Sequence, residues 1–238
     1  MINKTFRLEQ QLSILRDLGV QLNNNSVIVD LGCGNGSLVT EYLKKGFDAY
    51  GCDFKFKVVQ EKSLFESGRI RMIDQVSYRL PFEDKSVDII LSDQVFEHVE
   101  DYSTTLSEMR RILKPKGVCL NFFPSRYRII EPHVFIPFAS IIKNYSWLLF
   151  WALLGIGIRK GKTPKETAQL NYEYLTYQTF YLTKSEIVKH CKEYFDTVKF
   201  YEELFIKYFP GTFISRLAKI PLIPLLYGTM RQRVMFLR

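Results

Sequence analysis

Short apolar segments alternate with longer amphipathic ones over the first 124 residues. Runs rich in β-branched residues predict five strands, at 26–31, 47–53, 69–74, 87–93 and 117–123. Between several of these runs, apolar residues recur at helical spacing and predict helices at 37–45, about 55–66, and 101–113. Strands that alternate with helices in this way indicate an α/β fold, with a parallel sheet covered by helices.

The alternation stops after Pro124. Residues 125–182 contain an apolar run at 147–158 and an aromatic cluster but no clear strand, which predicts a partly helical insertion or lid over the sheet. A regular pattern returns at Thr183, which is followed three residues later by Glu186, the spacing of a capping box at the start of a helix.

Two further strands are predicted at 197–204 and 233–238, with a helical and proline-rich segment at 205–230 between them. The length suits one large domain over 1–238. We expect this domain to have three consecutive parts, 1–124 for cofactor binding, 125–182 as the insertion and 183–238 as a C-terminal helix with the last two strands.

The composition is typical of a folded protein in a reducing compartment. Hydrophobic residues make up 47% of the 238 residues and charged residues 24%, which excludes disorder as the main state. The four cysteines are far apart and form no CxxC pair, so neither a disulfide framework nor a zinc site is indicated and we expect no metal. Arg7 and Glu9 interrupt the segment where a signal peptide is apolar, which favours a cytoplasmic location.

The positive charge lies in the second half of the chain. The formal net charge is +8, yet the first 124 residues hold 16 basic and 17 acidic residues, a net of −1, while the remainder hold 17 and 8, a net of +9. Aromatic residues follow the same division, with 13 before it and 22 after it. Such a surface suits an anionic partner with an apolar component, although a tightly packed, mildly basic subdomain explains the same composition.

The apolar run 147–158 is shorter than the roughly 20 residues that span a bilayer. Two interpretations remain for it, a buried lid helix and a patch that contacts the inner face of a membrane.

A glycine-rich loop follows the first predicted strand. Gly32, Gly34 and Gly36 allow a tight turn and let a ligand lie on the main chain, facing the start of the next helix. Ser37 stands where the dinucleotide-binding pattern GxGxxG has its third glycine. Asp30 precedes the loop, where its negative charge suits a cationic ligand group better than a pyrophosphate.

The motif DxGxGxG at 30–36, with Asp53 ending the second strand, resembles the class I S-adenosylmethionine-dependent methyltransferases. The resemblance implies a Rossmann-like, doubly wound sheet of about seven strands, mostly parallel with an antiparallel last strand, plus the helical insertion after strand five. It implies S-adenosyl-L-methionine as cofactor and S-adenosyl-L-homocysteine as product. By the same resemblance, Asp53 accepts hydrogen bonds from both ribose hydroxyls and Phe54 lies against adenine. The residues implied around the methionine part are Asp30, Gly32, Cys33, Gly34, Asn35 and Gly36.

The stretch 78–101 is similar to one branch of that family, the type 11-like branch, in which LPF precedes the fourth strand and a phrase ending in EHV follows it. This resemblance covers about residues 26–124. It implies that the end of the fourth strand contacts the cofactor and that Glu97 and His98 face the substrate. The strand-end residues concerned are Ser92, Asp93 and Gln94.

One position departs from the family pattern. Val76 stands where many members have an acidic residue that meets the adenine amino group. Asp74 is a candidate for that role, but it fits a solvated strand end equally well. A main-chain amide near Val76 or Ser77 is another candidate for the adenine edge.

Methyl transfer to a hydroxyl requires the acceptor to be held in line and its proton to be removed. His98 is the first candidate for a general base because imidazole titrates near neutrality, and Glu97 either orients it or caps the following helix. His133 is the second candidate. Both histidines also fit a purely structural role.

Arg126 and Arg128 follow the fifth strand directly, at the edge where open α/β sheets bind ligands. Arginine binds phosphate and carboxylate groups through two hydrogen bonds, so these residues suit an anionic substrate. A salt bridge with Glu131 at the rim is the alternative.

We therefore expect a methyltransferase whose acceptor is a small or carrier-linked molecule. The segments around His98 and His133 are similar to methyltransferases of bacterial surface-polysaccharide clusters, which suggests a sugar hydroxyl of such a polysaccharide or of its lipid-linked precursor. A lipid or quinone acceptor and a catalytically silent, cofactor-binding scaffold subunit are the alternatives. A nucleic acid is a poor partner, because the basic residues are spaced singly and no RNA-binding module is present.

Overall fold

The computed structural model describes residues 4–55, 62–158, 161–209, 211, 215–216, 218–220 and 222–238. In chain order its elements are α1 (Lys4–Asp17), β1 (Val27–Leu31), α2 (Ser37–Lys44), β2 (Asp48–Asp53), α3 (Lys62–Glu66), β3 (Ile70–Met72), β4 (Val87–Asp93), a 3-10 helix (Phe96–His98), α4 (Tyr102–Ile112), β5 (Leu113–Pro124), α5 (Tyr145–Leu153), α6 (Pro164–Tyr177), α7 (Lys184–Cys191), β6 (Val198–Phe200), α8 (Glu202–Lys207), α9 (Leu222–Met230) and β7 (Gln232–Leu237).

The seven strands form one sheet in the order β3-β2-β1-β4-β5-β7-β6. The first five strands are parallel, and β7 pairs antiparallel with both β5 and β6. The predicted Rossmann-like sheet is confirmed. Because the chain leaves β1 toward β2 on one side and reaches β4 on the other, the C-terminal ends of β1 and β4 flank the switch point where such sheets bind ligands.

Helices cover the sheet on both faces. On one face Val29 and Leu31 of β1 pack with apolar residues of α4 and α7. On the other face Ile28 packs with apolar residues of α1 and α2. This alternation along β1 follows from the two-residue period of a strand, and it leaves nearly every β1 residue buried.

Helix α1 was not predicted from the sequence. Its buried face includes Arg7, Gln10 and Gln11 among the leucines, so the apolar pattern is interrupted. Arg7 Nε donates to Asp93 Oδ2 over 2.8 Å, and the guanidinium lies 4.0 Å from the centre of the Phe122 ring. The arginine thus joins α1 to the C-terminal end of β4.

The insertion is helical, as expected, and has its own apolar cluster in which α5 packs against α6. Leu148 and Ala152 of α5 are buried, whereas Phe150 and Leu153 on its other side are 50% and 66% exposed. One side of α5 is therefore a buried helix face, and contact of the other side with a membrane stays a prediction. Among the described residues, no helix has the length and apolar character needed to cross a bilayer.

The segment 197–204 was predicted as a strand and is only partly one. Strand β6 ends at Phe200, and Glu202 begins α8. Phe205 and Ile206 then pack into the core beside α1, which a helix permits and a continued strand would not. The helix predicted at 55–66 is observed as α3 from Lys62, and residues 56–61 lie outside the described part. The capping box of Thr183 and Glu186 is confirmed.

The ion pair of Arg7 gives a first testable prediction. We expect Arg7→Met to lower the free energy of unfolding by about 1–3 kcal/mol, because it leaves the partly buried Asp93 without its cation. Arg16→Met, at an exposed site of the same helix, should change it by less than about 0.5 kcal/mol. Urea unfolding measures both, and equal losses would show that the pair does not anchor α1.

Candidate functional site

Glycine is needed at the three positions after β1 for different structural reasons. All three have positive φ angles, of 73° at Gly32, 57° at Gly34 and 75° at Gly36. A Cβ atom at Gly32 would lie 2.4 Å from Val95, and one at Gly36 would lie 2.3 Å from Ile70. Nothing lies within 4 Å of the corresponding position at Gly34. The outer two glycines are therefore required by packing, while the middle one leaves open space over the main chain.

Asp53, at the end of β2, lies beside this loop. Gly34 donates its main-chain N–H to Asp53 Oδ2 over 2.8 Å, and the carboxylate is half-buried. The loop is joined to β2 a second time, because Cys33 N–H donates to the carbonyl of Cys52. The Cys33 side chain is buried, so this residue offers main-chain atoms to a ligand.

Asp30 is a buried carboxyl group next to the same loop. It is 6% exposed, and within the described part of the chain its side chain has no hydrogen-bond partner. Burial, together with the negative charge of Asp93, raises its pKa to about 7. A cationic ligand group beside Asp30 would be strongly favoured. The open space over Gly34 and this unpaired carboxyl fit a ligand with a positively charged amino-acid end, as S-adenosylmethionine has.

The predicted adenine side is an aromatic wall with a hydrogen-bonded turn. The rings of Phe54 and Tyr78 lie 5.4 Å apart. Asp74 lies beyond the end of β3, where its carboxylate accepts hydrogen bonds from Val76 N–H and from the Ser77 hydroxyl. These bonds lower its pKa. Both carboxylate oxygens of Asp74 and the main-chain N–H of Val76 are thus already hydrogen-bonded within this turn.

The residues at the end of β4 do not all face the loop. The Ser92 hydroxyl is fully buried and donates to Asn121 Oδ1, so this side chain lies inside the sheet and does not line the site. Asp93 is paired with Arg7. Gln94 has a φ of 61°, an unfavourable conformation for a residue other than glycine, and it donates its N–H to Phe122 O over 2.7 Å.

Glu97 lies in the 3-10 helix after β4 and is 1% exposed. Among the described residues, neither of its carboxylate oxygens has a hydrogen-bond partner. Burial raises its pKa to about 8, with smaller contributions from Asp93 and Glu131. The negative charge of Asp93 thus raises the pKa of both Asp30 and Glu97.

His98 and His133 come together here, with ring centres 4.8 Å apart. His98 Nδ1 lies 2.6 Å from the carbonyl oxygen of Gln178, and His133 Nδ1 lies 2.7 Å from Glu131 Oε1. Partial burial of His98 lowers its pKa, and the neighbouring His133 lowers it further. Two of the predicted catalytic residues, from different strand ends, are thus in ring contact.

Glu131 holds this arrangement in place. Its carboxylate accepts hydrogen bonds from the main-chain N–H groups of His133 and Val134, from Nδ1 of the His133 ring and from the Tyr181 hydroxyl. Burial favours the neutral carboxyl, but these bonds outweigh it and keep the pKa of Glu131 below its usual value. The sequence suggested only a rim partner for the arginines, whereas Glu131 is fully buried and orients His133.

The two predicted substrate arginines have different surroundings. Arg126 lies 3.7 Å from Glu186. Burial lowers the pKa of Arg128, and so does the positive charge of Arg231, at the end of α9. The neighbouring positive charges of Arg128 and Arg231 favour the binding of an anion. Arg231 was not predicted, because only folding brings it next to Arg128.

The sequence of this chain is similar to those of known proteins. The model of a family described as "Methyltransferase domain" matches residues 29–121. Demethylmenaquinone methyltransferase of Bacillus velezensis is 32% identical over 162 residues, which cover 58% of this chain and 70% of that protein.

Solved structures share the fold over nearly the whole chain. PH0226 protein from Pyrococcus horikoshii is 16% identical with a TM-score of 0.54, covering 98% of this chain and 89% of its own. Phosphoethanolamine N-methyltransferase 2 of Haemonchus contortus, solved with S-adenosylhomocysteine, is 13% identical with a TM-score of 0.53. That match covers 96% of this chain but only about half, 51%, of the nematode protein.

The middle glycine offers a matched test of ligand approach. Gly34 and Gly68 both have positive φ angles and open space at the Cβ position. We expect an alanine at either position to cost about 1 kcal/mol of stability, since the backbone strain is the same. Only Gly34→Ala should weaken binding of S-adenosylmethionine, at least tenfold by isothermal titration. Equal affinities for the two variants would contradict contact of the ligand with the loop.

Asp30 gives a prediction about pH. Its folded pKa of about 7 exceeds the ordinary aspartate pKa of 3.8, so its neutral form stabilises the fold at low pH and this stability is lost as pH rises from about 4 to 7. In the cofactor-free protein, Asp30→Asn should therefore stabilise by a few kcal/mol at pH 8 and little at pH 4. Asp196→Asn, at an exposed aspartate, is the control. Denaturant unfolding at both pH values measures the change in the free energy of unfolding. A change that does not depend on pH would contradict the burial of an unpaired carboxyl.

Proposed function

The chain belongs to the class I S-adenosylmethionine-dependent methyltransferases, and we propose that its acceptor is an anionic, amphipathic molecule presented at a membrane surface. The cofactor supplies an electrophilic methyl group on a positively charged sulfur. Residues of the protein then have three tasks, which are to hold the cofactor, to hold the acceptor in line and to manage the acceptor's proton.

The first task falls to the edge formed by β1 and β2. In this proposal Asp30 binds the cationic amino-acid end, the Gly34 main chain lies under it, and Asp53 accepts from the ribose hydroxyls. The support is the unpaired, buried Asp30 and the open space above Gly34. Phe54 and Tyr78 offer ring surface to the adenine.

The observation that carries the acceptor class is a set of exposed apolar side chains, in the segment that contains His133 and in the segment that ends at Met230. Two segments contribute to it, and the N–H of Ile129 donates to the carbonyl of Met230 where they meet. Its exposed side chains are Ile129, Ile130, Phe135, Phe138, Ile141 and Ile142 from the first segment and Ile220, Leu222, Leu225, Leu226 and Met230 from the second. We call this set the apolar rim. Exposed apolar surface on this scale is typical of a contact with a membrane or with an apolar molecule.

Two phenylalanines of the apolar rim adopt unfavourable conformations. Phe135 and Phe138 have φ angles of 60° and 53° and are 59% and 41% exposed. A bulky residue with positive φ is strained, and here the strain presents aromatic rings to the outside rather than to the core. Aromatic rings at such positions suit the interface between water and lipid.

Positive charge lies next to the apolar rim. Arg128 and Arg231 are close enough to each other for their charges to interact, and they immediately precede or follow residues of the rim. An acceptor with a phosphate or another anionic group would bridge these guanidinium groups while its apolar part contacts the rim. Anionic lipid headgroups would be attracted by the same charges.

The third task is assigned to Glu97, His98 and His133, which lie where the acceptor must enter. In the hydrogen-bonded tautomers, Nδ1 of each imidazole points to an oxygen acceptor and Nε2 carries the lone pair. The Glu131 carboxylate accepts a hydrogen bond from Nδ1 of His133 and so orients the ring. Loss of the acceptor's proton is therefore favoured at this position.

Two acceptor classes meet these requirements. A lipid-linked sugar precursor of a surface polysaccharide has a hydroxyl, an anionic phosphate and an apolar carrier. A quinol has an acidic hydroxyl and a lipid tail, and it is supported by the similarity to demethylmenaquinone methyltransferases over 58% of the chain. The arginines favour the phosphate-bearing acceptor, because a quinol has no anionic group to engage them.

The test supplies methyl-labelled S-adenosylmethionine with vesicles that contain either a lipid-linked sugar phosphate or a demethylated quinol. Label in the sugar fraction is expected, and label in the quinol alone would move the acceptor to that class. Cofactor binding without transfer to either acceptor or to any cell-extract fraction would indicate a scaffold subunit. Label in nucleic acid would contradict the proposal.

Membrane contact is tested with matched phenylalanines. The double variant Phe135→Ser and Phe138→Ser should reduce sedimentation with vesicles of phosphatidylglycerol at least tenfold and leave cofactor affinity unchanged. Phe65→Ser, at a phenylalanine on α3 that is 47% exposed, should leave sedimentation as it is. High salt should weaken the binding because the arginine contribution is screened. Unchanged sedimentation of the double variant would exclude the apolar rim as the contact.

A further inference from the structure

Three side chains next to the apolar rim offer donor atoms for a metal ion. One ligand atom each from Glu97, His98 and His133 lies within 4.8 Å of the other two. They come from two strand ends, the 3-10 helix after β4 and the turn after β5, so only the fold brings them together. The sequence predicted no metal, because it has no CxxC pair and these three residues do not have the spacing of a common ligand motif.

The orientation of the two imidazoles is set by outer hydrogen bonds. His133 Nδ1 donates to the Glu131 carboxylate over 2.7 Å, and His98 Nδ1 donates to the carbonyl oxygen of Gln178 over 2.6 Å. Histidines that bind metals commonly donate their other ring N–H to a carboxylate or a carbonyl in this way, which fixes Nε2 as the ligand atom. Glu131 is itself held by Tyr181 and by main-chain amides, so the outer contacts are rigid.

Glu97 is the independent observation that points to a cation. Its carboxylate is 1% exposed, and within the described residues neither oxygen accepts a hydrogen bond. A buried carboxylate in its charged form requires a cation or hydrogen-bond donors close by. Asp93 and Glu131 lie near enough to add negative charge to its surroundings. The neighbourhood therefore favours a positive ion.

We propose that Glu97, His98 and His133 form a binding site for a divalent transition-metal ion, with Zn²⁺ as the representative. Two imidazole nitrogens and one carboxylate oxygen are the donors that such ions prefer, and they leave coordination positions open. Bond lengths near 2.1 Å place ligand atoms about 3.4 Å apart, so separations of up to 4.8 Å must shorten by at most about 1.4 Å around the ion.

The chemical role of the ion rests on the proposed function. An oxygen atom of the acceptor would take an open coordination position, and its hydroxyl proton would leave to the solvent more readily because the ion lowers the pKa of a bound hydroxyl. The oxygen then forms its bond to the methyl carbon while the bond from that carbon to sulfur breaks. In this arrangement the imidazoles hold the ion, and the charge of the ion replaces proton removal by a histidine.

The binding test uses untagged full-length protein titrated with Co²⁺, whose visible absorption reports coordination by nitrogen and oxygen, followed by competition with Zn²⁺. One ion per chain is expected. Glu97→Gln, His98→Ala and His133→Ala should each weaken binding at least tenfold, while His190→Ala, at the one remaining histidine of the sequence, should leave it unchanged. Glu131→Gln should weaken it roughly 10–100-fold, because it removes an outer hydrogen bond without removing a ligand.

Several results would overturn the proposal. They are the absence of a stoichiometric Co²⁺ spectrum in the parent protein, full affinity in the Glu97→Gln variant, or an equal loss in His190→Ala. Should the alanine variants unfold, X-ray absorption of the Zn²⁺-loaded parent protein decides, since two imidazole ligands are expected and none would contradict the site.

The catalytic role has its own measurement. Removing the ion with a chelator should lower methyl transfer at least tenfold, and adding Zn²⁺, Co²⁺ or Mn²⁺ should restore it. If the chelated protein transfers methyl groups at the full rate, the role of the ion is overturned while the proposed function stands. Failure of the proposed function would appear instead as no transfer at all, together with intact metal binding.

Discussion

Four carboxyl groups lie along one edge of the sheet, and much of the surrounding structure serves to compensate their negative charge. Asp30 is the residue before the last in β1, Asp93 ends β4, Glu97 follows in the 3-10 helix and Glu131 follows β5. Three of the four are less than one-tenth exposed. Buried like charges that lie near one another destabilise the fold, so each carboxyl group needs a proton, a cation or hydrogen-bond donors. Two of the four are compensated by the protein itself, Asp93 by Arg7 and Glu131 by His133 and Tyr181.

Asp30 and Glu97 are the two for which the described residues show no hydrogen bond or ion pair of the side chain, and the charge of Asp93 raises the pKa of both. The protein thus leaves one buried charge uncompensated beside the glycine loop and a second beside the histidines. Such groups weaken the ligand-free fold, and a protein retains them where a ligand supplies the missing positive charge. The same reasoning therefore connects the cofactor site and the proposed metal site, although the two ligands differ in chemistry.

The sequence predicted the first half of the fold well, because its signals are local. The first five strands contain short, mostly apolar runs, and Asp101 and Thr183 cap α4 and α7. Helix α1 escaped prediction because Arg7, Gln10 and Gln11 occupy its buried face, where a period of apolar residues was expected. The strand predicted at 197–204 was too long because α8 has only six residues and buries Glu202, Phe205 and Ile206, which is too short a run to show a distinct helical period.

For the site, prediction worked where the residues are near one another in sequence. The loop 30–36 and Asp53 lie at the C-terminal ends of β1 and β2, and His98 lies in the 3-10 helix that follows β4. Contacts made by the insertion had no signal in sequence, since Gln178 and Tyr181 reach His98 and Glu131 only after α5 and α6 have folded. Ser92 was misjudged for a related reason, because strand alternation points its hydroxyl to Asn121 inside the sheet.

The position of β7 has a consequence for how the chain is synthesised. This strand comes last in sequence, yet it lies between β5 and β6, and Val234, Met235 and Leu237 are fully buried there. A growing chain can assemble the parallel half of the sheet as soon as β5 has emerged, but the free edge of β5 stays without a partner until residues 232–237 leave the ribosome. An open, apolar strand edge invites pairing with other chains. During translation, therefore, the nascent protein passes through an interval in which the edge of β5 is exposed to aggregation because β7 has not yet been synthesised.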